Sequence, residues 1–392
     1  MLNESLEIFA NKKLSKIETQ HLKRSIVVTN RKGGVKVRRG GRDFVSFSCN
    51  DYLGLSHHPK LKEAAAMAMR DYGVGAAASR LITGNHDLYQ ALETKLSKFK
   101  GTNASCVFGS GFLANSGIIP ALTGINDLIL LDEFGHASMY SGSRVSRAKV
   151  VTFRHNDMDD LERLLKKFRK QVVNCLVVTE GVFSMDGDRA PLPLISEICR
   201  RYDSWLMVDD AHGFGVLGEG RGSAFEYNPR PEIPLQMGTL SKAAGAYGAF
   251  LCASEAIIEL MKNRARSLIY TTALPPAVLA AAGVAIDIIS SDRKRVSSPM
   301  VNAKTFCDIL GLAPPESPIV PIFIGDEKTA MDSALKLEDS GYMVVAIRPP
   351  TIPEGTSRLR IAFTSEHTVE QVSGLAKAIK SLRITLNKPK NN

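Results

Sequence analysis

The chain has 392 residues, of which 44% are hydrophobic and 23% are charged. This length predicts two or three domains, and the balance is typical of a soluble globular protein. No apolar run reaches the ~18 residues needed to cross a bilayer, so we expect no transmembrane helix. The first residues lack an apolar segment followed by a small-residue cleavage site, so we expect no secretory signal.

Six cysteines are scattered without any CxxC spacing. We expect buried free thiols in a reducing cytoplasm and no metal site. The net charge is +10, and the first 42 residues hold eleven Lys/Arg against three Glu. These basic residues are not interleaved with aromatics and match no nucleic-acid motif, so we expect no nucleic-acid partner. Two interpretations stay open: a basic surface that admits a polyanion such as coenzyme A, or a solvated basic face.

The first element in chain order is a helix within residues 1–24. The stretch "RKGGVKVRRGGRDFVSFSCNDYLGL" follows, and its glycine pairs bracket short alternating segments, which predicts a small hairpin. We therefore expect an amino-terminal segment over residues 1–50.

From Pro59 onward, amphipathic helices alternate with short apolar strands. Leu88, Leu92, Leu96 and Phe99 form one helix face, and Gly101 ends that helix. The strand candidates are "ASCVF", "DLILL", "KVVTF", "CLVVTE" and "WLMVDD". This pattern predicts an α/β fold whose mostly parallel sheet is flanked by helices, over residues 51–280. Ligands of such sheets bind beyond the carboxyl ends of the strands.

A long helical stretch begins near Pro275. The polar segment "SSDRKRVSSPM" follows it and predicts a gap without regular secondary structure. A second α/β pattern follows, with strands "IVPIFIG", "YMVVAI" and "LRIAF". We expect a smaller carboxy-terminal α/β domain over residues 281–392.

Three chemically distinctive residues stand at predicted strand ends. Asp209 and His212 follow one strand, and Lys242 lies in a loop of small residues before an apolar run. Pyridoxal phosphate (PLP) needs a lysine for its Schiff base and an acid to keep its pyridine nitrogen protonated. Each residue alone is compatible with a structural role, but together they predict a PLP site. His212 could hydrogen-bond the phenolic oxygen of the ring.

Further polar residues fit the same site. Ser110, Gly111 and Phe112 end a strand and open a helix, where backbone amides and the helix dipole can hold a phosphate, although an ordinary tight turn is the alternative. Thr239 and Ser241 flank the lysine and could contact the same phosphate.

Other strand ends supply candidates for ring and substrate contacts. The imidazole of His136 could stack on a pyridine ring and position a carboxylate. Glu180 and Ser184 follow another strand, in what could also be a plain connecting turn. Arg358 and Arg360 share one strand face, so one of them could clamp an α-carboxylate, or both could be surface arginines.

At this point the chain resembles a known family, the α-oxoamine synthases, which are PLP enzymes of fold type I. The resemblance covers nearly the whole chain through the strings "SFSCNDYLGLSHHP", "FGSGFLANSG", "VVTEGVFSMDGDRAPL", "WLMVDDAHGFGVLGEGRG", "TLSK", "LIYTTALPPA" and "AIRPPTIPEGTSRLRIAFT". It implies an acyltransferase that condenses an amino acid with an acyl thioester and releases CO2. It also implies a homodimer with active sites at the subunit interface.

The resemblance assigns roles residue by residue. Lys242 would carry PLP, Asp209 would pair with the pyridine nitrogen, His212 would contact the phenolic oxygen and His136 would stack on the ring. The implied phosphate contacts are Ser110, Gly111, Phe112, Ser184 and Thr239, with Thr271 or Thr272 reaching the neighbouring subunit's cofactor. The implied substrate contacts are Asn50, Arg360 for the carboxylate, Arg348 and Thr351 near the acyl chain, and Lys23 or Arg24.

Two strings, "DDAHGFGVLG" and "AIRPPTIPEGTSRLR", are most similar to the branch of the family that serves biotin biosynthesis. That branch implies L-alanine and pimeloyl-CoA or a pimeloyl-carrier protein as substrates. The nearest alternative is a sister synthase that uses glycine or serine, such as a 2-amino-3-ketobutyrate CoA ligase or a serine palmitoyltransferase. An aminotransferase and a PLP-free scaffold of the same fold are more distant alternatives.

Overall fold

The computed structural model describes residues 4–19 and 22–384 of the chain. The amino-terminal segment contains α1 (Glu4–Thr19), β1 (Thr29–Gly33), β2 (Lys36–Arg39) and β3 (Arg42–Ser46). The three strands form an antiparallel meander. Gly40 and Gly41 connect β2 to β3 with φ of 54° and 79°, which two-residue hairpin turns require. The predicted hairpin is therefore confirmed.

The predicted amino-terminal helix is present but does not pack on the molecule. None of the described residues of α1 is buried, and its apolar residues Leu6 and Phe9 are 61% and 58% exposed. Residues 1–3 and 20–21 of the predicted helical interval lie outside the described residues.

A seven-stranded sheet forms the centre of the large domain. Its strands are β4 (Ala104–Phe108), β5 (Leu128–Asp132), β6 (Lys149–Phe153), β7 (Cys175–Glu180), β8 (Trp205–Asp209), β9 (Leu235–Thr239) and β10 (Ala249–Ala253). Their spatial order is β4-β10-β9-β8-β7-β5-β6. Only β10 runs antiparallel to its neighbours. The prediction of a mostly parallel sheet is confirmed.

Helices cover both faces of this sheet. They are α2 (Pro59–Tyr72), α3 (Asp87–Lys100), α4 (Gly111–Leu122), α5 (Ala137–Val145), α6 (Met158–Phe168), α7 (Leu192–Arg201), α8 (Glu255–Arg264), α9 (Arg266–Ile269) and α10 (Pro276–Ser291). Side chains alternate along a strand, so Leu130 of β5 packs in one cluster with Leu164 of α6, while Ile129 packs in another with Ile118 of α4. A strand buried on both faces reads as a continuous apolar run, which explains the sequence pattern.

The carboxy-terminal region contains a smaller sheet covered by helices. Its elements are α11 (Arg293–Leu310), β11 (Ile319–Gly325), α12 (Glu327–Asp339), β12 (Tyr342–Met343), β13 (Val345–Ile347), β14 (Ser357–Ala362) and α13 (Val369–Ser381). The order β11-β14-β13 is antiparallel throughout.

One predicted irregular segment is helical instead. The prediction of a polar gap over residues 290–300 is wrong, because α10 ends at Ser291 and α11 begins at Arg293. Asp292 caps α11 by accepting a hydrogen bond of 2.9 Å from the backbone N–H of Arg295. Such a cap stabilises a helix start by about 1 kcal/mol. A largely exposed, polar first turn carries little apolar periodicity, so the sequence pattern missed it.

The amino-terminal segment packs against the carboxy-terminal region. Strand β3 pairs in parallel with β12, with Val45 opposite Tyr342. Phe47 is buried in the carboxy-terminal core, where its ring lies 5.7 Å from that of Phe363. The two ends of the chain thus share a sheet and a core.

Among the described residues, no helix is both long and apolar enough to cross a membrane. Within the same ranges, no group of three or more His, Cys, Asp or Glu side chains is suited to a metal ion. All six cysteines are free thiols, and five are buried, whereas Cys49 is partly exposed.

Candidate active site

The candidate site lies at the carboxyl edge of the central sheet. His136 follows β5, Glu180 ends β7, Asp209 ends β8 and Thr239 ends β9. Neighbouring parallel strands end at the same edge of a sheet, so these side chains converge although they are far apart in sequence. Glu180 and Asp209 lie directly opposite each other in the pairing of β7 with β8.

The carboxylate of Asp209 is buried and held by neutral donors. It is 5% exposed, its Oδ1 accepts a 3.0 Å hydrogen bond from the N–H of Ala211, and its Oδ2 accepts a 2.8 Å hydrogen bond from Nδ2 of Asn115. A buried carboxylate is costly without a nearby cation. The arrangement therefore suits a residue that pairs with a positively charged group of a ligand.

Lys242 begins a second series of contacts. Its Nζ lies 2.8 Å from Nε2 of His212, whose Nδ1 lies 2.7 Å from the hydroxyl of Tyr52. Burial lowers the pKa of Lys242 to about 8, although Asp209 and Glu180 oppose this shift. Burial and the charge of Lys242 also hold the pKa of His212 well below its usual value. His212 is consequently a neutral imidazole beside an amine that titrates near physiological pH.

His136 caps helix α5 with its own side chain. Nδ1 accepts a 3.2 Å hydrogen bond from the backbone N–H of Ser138, and the Ser138 hydroxyl lies 2.7 Å from the same nitrogen. Burial lowers the pKa of His136, and Lys242 lowers it further, while the charge of Asp209 opposes both effects. The imidazole is therefore neutral at physiological pH.

Glu180 adds a second buried carboxyl group. It is 3% exposed, and its Oε1 has no hydrogen-bond partner among the described residues. Burial raises its pKa well above the usual value, and the neighbouring charge of Asp209 raises it further. The protonated form of Glu180 is thus favoured beside the carboxyl group of Asp209.

The start of α4 and the end of β9 form a possible phosphate site. Ser110 caps α4 by accepting a 3.2 Å hydrogen bond from the N–H of Leu113, and the amides of Gly111 and Phe112 lie in the first turn, where no helix carbonyl precedes them. A Cβ built on Gly111 would lie 4.0 Å from Oγ1 of Thr239. Amides, a hydroxyl and the helix dipole therefore meet at one point.

The two predicted arginines of β14 occupy different environments. Arg358 is buried in an ion pair with Asp186. The Arg360 guanidinium donates through Nε to the carbonyl oxygen of Ser184 and through Nη2, at 3.2 Å, to Oδ1 of Asn50. Its charge also acts on Lys242, lowering the pKa of that amine. Of the two, Arg360 is the one that faces the lysine.

Other predicted residues lie outside this hydrogen-bonded group. Thr271 donates to the carbonyl oxygen of Ser267 at 2.7 Å and lines a small cavity together with Thr272. Lys23 and Arg24 are exposed. Thr351 is exposed in the loop after β13, where its N–H donates at 3.2 Å to the carbonyl oxygen of Arg348.

Sequence reasoning missed three residues of the site: Tyr52, Asn115 and Ser138. Each lies close in sequence to a residue that was singled out, since Tyr52 follows Asn50, Asn115 lies one helical turn after Gly111 and Ser138 follows His136. A polar residue within the apolar helix "GFLANSGIIPAL" was a readable signal. The two partners of Asn115 are Ser138 on α5 and Asp209 on β8, and they come close to it only in the folded chain.

These residues fit PLP. Lys242 provides an amine whose pKa is about 8, Asp209 provides a buried carboxyl group, and the first turn of α4 provides amides that could hold a phosphate. Oε1 of Glu180 and Oδ1 of Asn115 are buried without protein partners among the described residues, as expected in a pocket shaped for a polar ligand.

Comparisons with known proteins agree with this geometry. The family described as "Aminotransferase class I and II" matches residues 42–379. An 8-amino-7-oxononanoate synthase from Beijerinckia indica subsp. indica is 52% identical over 378 residues, which cover 96% of this chain and 98% of that protein.

Solved structures give the same result. A structure of SPT (serine palmitoyltransferase) with a PLP internal aldimine has a TM-score of 0.89 and 29% identity, and the match covers 97% of this chain and 98% of that one. An 8-amino-7-oxononanoate synthase from Francisella tularensis has a TM-score of 0.72 and 30% identity, with coverage of 87% and 99%. The chain therefore belongs to the aminotransferase class I and II family and, within it, to the α-oxoamine synthases, the PLP-dependent acyltransferases of fold type I.

Proposed function

We propose that this protein condenses L-alanine with pimeloyl-CoA, or with a pimeloyl-carrier protein, to form 8-amino-7-oxononanoate in biotin biosynthesis. The leaving groups are CO2 and the thiol of the acyl carrier. The observation that carries this proposal is 52% identity, over nearly the full length of both proteins, to an enzyme named for that product. The buried free thiols agree with a cytoplasmic location.

Arg360 is the proposed clamp for the α-carboxylate of alanine. Asn50 and the carbonyl oxygen of Ser184 hold two of its donors, which fixes the plane of the guanidinium. A guanidinium that is already held in one plane binds a carboxylate with little further loss of side-chain entropy. This contact would place the Cα of the amino acid within reach of Lys242.

Lys242 is the proposed anchor of the cofactor and the proposed general base. Bound PLP supplies an electron sink conjugated with the Cα of the amino acid, and Asp209 keeps the pyridine nitrogen protonated. With a pKa of about 8, Nζ of Lys242 can accept the Cα proton near physiological pH and return it later. His212 lies 2.8 Å from Nζ and would orient the amine between these steps.

His136 is the proposed donor to the acyl carbonyl oxygen. Its Nδ1 is occupied by Ser138, so its Nε2 is left to carry the proton. A neutral donor that faces a developing oxyanion stabilises negative charge there without giving up its proton. Arg348, Thr351 and one of Lys23 and Arg24 are proposed to contact the acyl donor.

The active enzyme is proposed to be a homodimer. Large apolar side chains are exposed near the site and would be covered by a second subunit: Leu81 58%, Ile82 75%, Phe112 51%, Tyr247 52% and Tyr270 72%. Exposed apolar side chains that form one patch are typical of an interaction surface. Thr271 or Thr272 would then reach the phosphate of the cofactor in the other subunit.

A sister activity that uses serine or glycine is the second candidate, because the SPT structure superimposes with a TM-score of 0.89. A substrate matrix separates the two. The purified enzyme with PLP is supplied with L-alanine, glycine or L-serine, each with pimeloyl-CoA or palmitoyl-CoA, and free thiol is measured. The proposal expects release with alanine and pimeloyl-CoA. Release only with serine and palmitoyl-CoA would establish the second candidate.

A further inference from the structure

A continuous hydrogen-bonded relay joins the two polar groups that flank the cofactor site. It runs from Asp209 through the amide of Asn115 and the hydroxyl of Ser138 to His136, with distances of 2.8, 2.9 and 2.7 Å. Asn115 is fully buried and Ser138 is 1% exposed, so water does not compete for the two bonds of Asn115, while the bond to His136 is partly buried. We call these contacts the Asn115–Ser138 relay.

The direction of every hydrogen in the relay is fixed from its two ends. The carboxylate of Asp209 can only accept, so the amide of Asn115 turns its Nδ2 toward it and uses the second N–H for Ser138. At the other end, a backbone N–H can only donate, so Nδ1 of His136 is an acceptor for Ser138. The Ser138 hydroxyl accepts from Asn115 and must donate to Nδ1.

We propose that Asn115 and Ser138 are positioning residues that fix His136 as the Nε2–H tautomer and tie its orientation to the carboxylate of Asp209. A proton on Nδ1 would face two donors of Ser138 and is therefore excluded. Nε2 then carries the ring proton. In this form the imidazole can donate a hydrogen bond to an oxygen of the substrate without transferring its proton. The inference rests on the proposed cofactor site but not on the identity of the amino acid or acyl donor.

The charged groups around the imidazole agree with this assignment. Asp209 on β8 and Lys242 after β9 act on the pKa of the ring with opposite sign. Among the described residues, both hydrogen-bond partners of Nδ1 belong to Ser138, which therefore sets the tautomer.

Packing between two helices holds the relay in register. Gly142 of α5 lies so close to α4 that a Cβ would be 2.5 Å from the carbonyl oxygen of Asn115. The absence of a side chain at this position lets α4 and α5 approach, which brings Asn115 within 2.9 Å of Ser138. The hydrogen bond between Asn115 and Ser138 therefore depends on the close packing of α4 against α5.

The test is the protonation pattern of His136 in the holoenzyme. Deuterated protein with 15N-labelled histidine is studied by long-range 1H–15N NMR over a pH series, and His136→Gln identifies the signal among the eight histidines. The proposal expects a protonated Nε2 and a bare Nδ1. Ser138→Ala removes the hydroxyl donor at 2.7 Å and leaves Nδ1 only the longer, 3.2 Å bond from the backbone N–H, so the Nδ1–H form should become populated and the pKa of His136 should rise.

A second variant interrupts the relay at Asn115. Asn115→Asp replaces the amide donor with a carboxyl group that can accept from the Ser138 hydroxyl, so Nδ1 keeps only the 3.2 Å bond from the backbone N–H and the Nδ1–H form should become populated. Controls are Ser141→Ala, whose hydroxyl bonds its own helix at Ala137, and Ser116→Ala, beside Asn115. Thermal unfolding establishes that each variant is folded. If Asn115→Asp does not fold, Ser138→Ala alone decides.

Kinetics give a separate readout. Because the Nε2–H form acts on the reacting oxygen, Ser138→Ala should lower kcat by about 10-fold or more with a smaller change in the KM for the amino acid. A wild-type His136 protonated on Nδ1, or a tautomer unchanged in folded Ser138→Ala, would overturn the proposal. These NMR results hold even if the proposed substrates are wrong, so the two failures are distinguishable.

Discussion

At the scale of single residues, burial decides which groups of the site carry charge. Burial raises the pKa of Glu180 and lowers that of Lys242, and the charge of Asp209 acts on both groups. The pKa values of His136 and His212 are both lowered, although only His212 is fully buried. Two carboxyl groups and one amine thus lie together where the proposed cofactor would bind.

The lowered pKa of Lys242 has a consequence for the stability of the apoenzyme. Between about pH 8 and its ordinary value of 10.5, the unfolded chain holds a proton that the folded chain lacks, so the free energy of unfolding rises with pH there. Lys242→Met should remove this rise and raise the free energy of unfolding at pH 7 by about 3 kcal/mol. Urea unfolding at several pH values measures both effects.

The control for this experiment is Lys304→Met, because Lys304 is exposed on α11 and its loss removes the same formal charge. If the free energy of unfolding changes with pH equally in wild type and in Lys242→Met, the pKa of Lys242 is not lowered in the folded protein.

At the scale of elements, a charged histidine ties three strand ends together. His155, after β6, lies 2.9 Å from Asp132 of β5 and 2.8 Å from Asp188 in the loop after β7. Burial alone would lower its pKa, but the two carboxylates outweigh this effect and raise the pKa to about 10. The loop fixed in this way also carries Ser184, which holds Arg360.

The stabilisation from His155 depends on pH. Its folded-state pKa is raised, so the contribution is complete below the ordinary value of 6.5 and is lost as pH rises toward about 10. His155→Gln should cost about 3 kcal/mol at pH 6 and progressively less at higher pH. Asp188→Asn should show a partial effect. A cost that is constant from pH 6 to pH 10, measured by chemical denaturation, would refute the charged histidine.

The approach of α4 and α5 makes a further prediction. Gly142→Ala places a Cβ against the backbone of α4 and should cost about 1 to 3 kcal/mol. Gly283→Ala on α10 is the matched control, because a Cβ there meets nothing within 4 Å and should stabilise the helix by up to about 1 kcal/mol. Thermal unfolding compares the two. Equal effects would mean that the helix contact is not tight.

The sequence predicted those elements whose patterns are local. The apolar runs of β5, β7 and β8 and the Gly101 stop of α3 were confirmed because a fully buried strand and a left-handed helix end leave direct traces. The start of α11 was missed because a polar exposed turn leaves none. Tyr52, Asn115 and Ser138 were missed because their roles depend on partners brought together by the sheet.

At the scale of the whole molecule, the two ends of the chain jointly support the site. Asn50 follows the amino-terminal hairpin and Arg360 lies on β14, and they hydrogen-bond each other beside the lysine. The pairing of β3 with β12 fixes this relation. The proposed substrate contacts from these distant segments thus depend on the complete fold rather than on the central sheet alone.

The proposed dimer is tested by mass and by complementation. Sedimentation should give twice the chain mass of 42.6 kDa. Lys242→Ala and a Thr271→Ala/Thr272→Ala double variant should each be inactive, and refolding them together in equal amounts should restore about a quarter of the wild-type activity, since half of the dimers would have one intact site. A monomeric active enzyme would contradict shared sites.

The most direct test of the proposed reaction follows the carboxyl carbon of the amino acid. The purified protein is given PLP, L-alanine labelled with 13C at its carboxyl carbon, and pimeloyl-CoA, and both labelled CO2 and free thiol are measured. The account predicts equal amounts of the two and an unlabelled 8-amino-7-oxononanoate, all absent with Lys242→Ala. Thiol release without labelled CO2, or labelled pyruvate as the product, would contradict it.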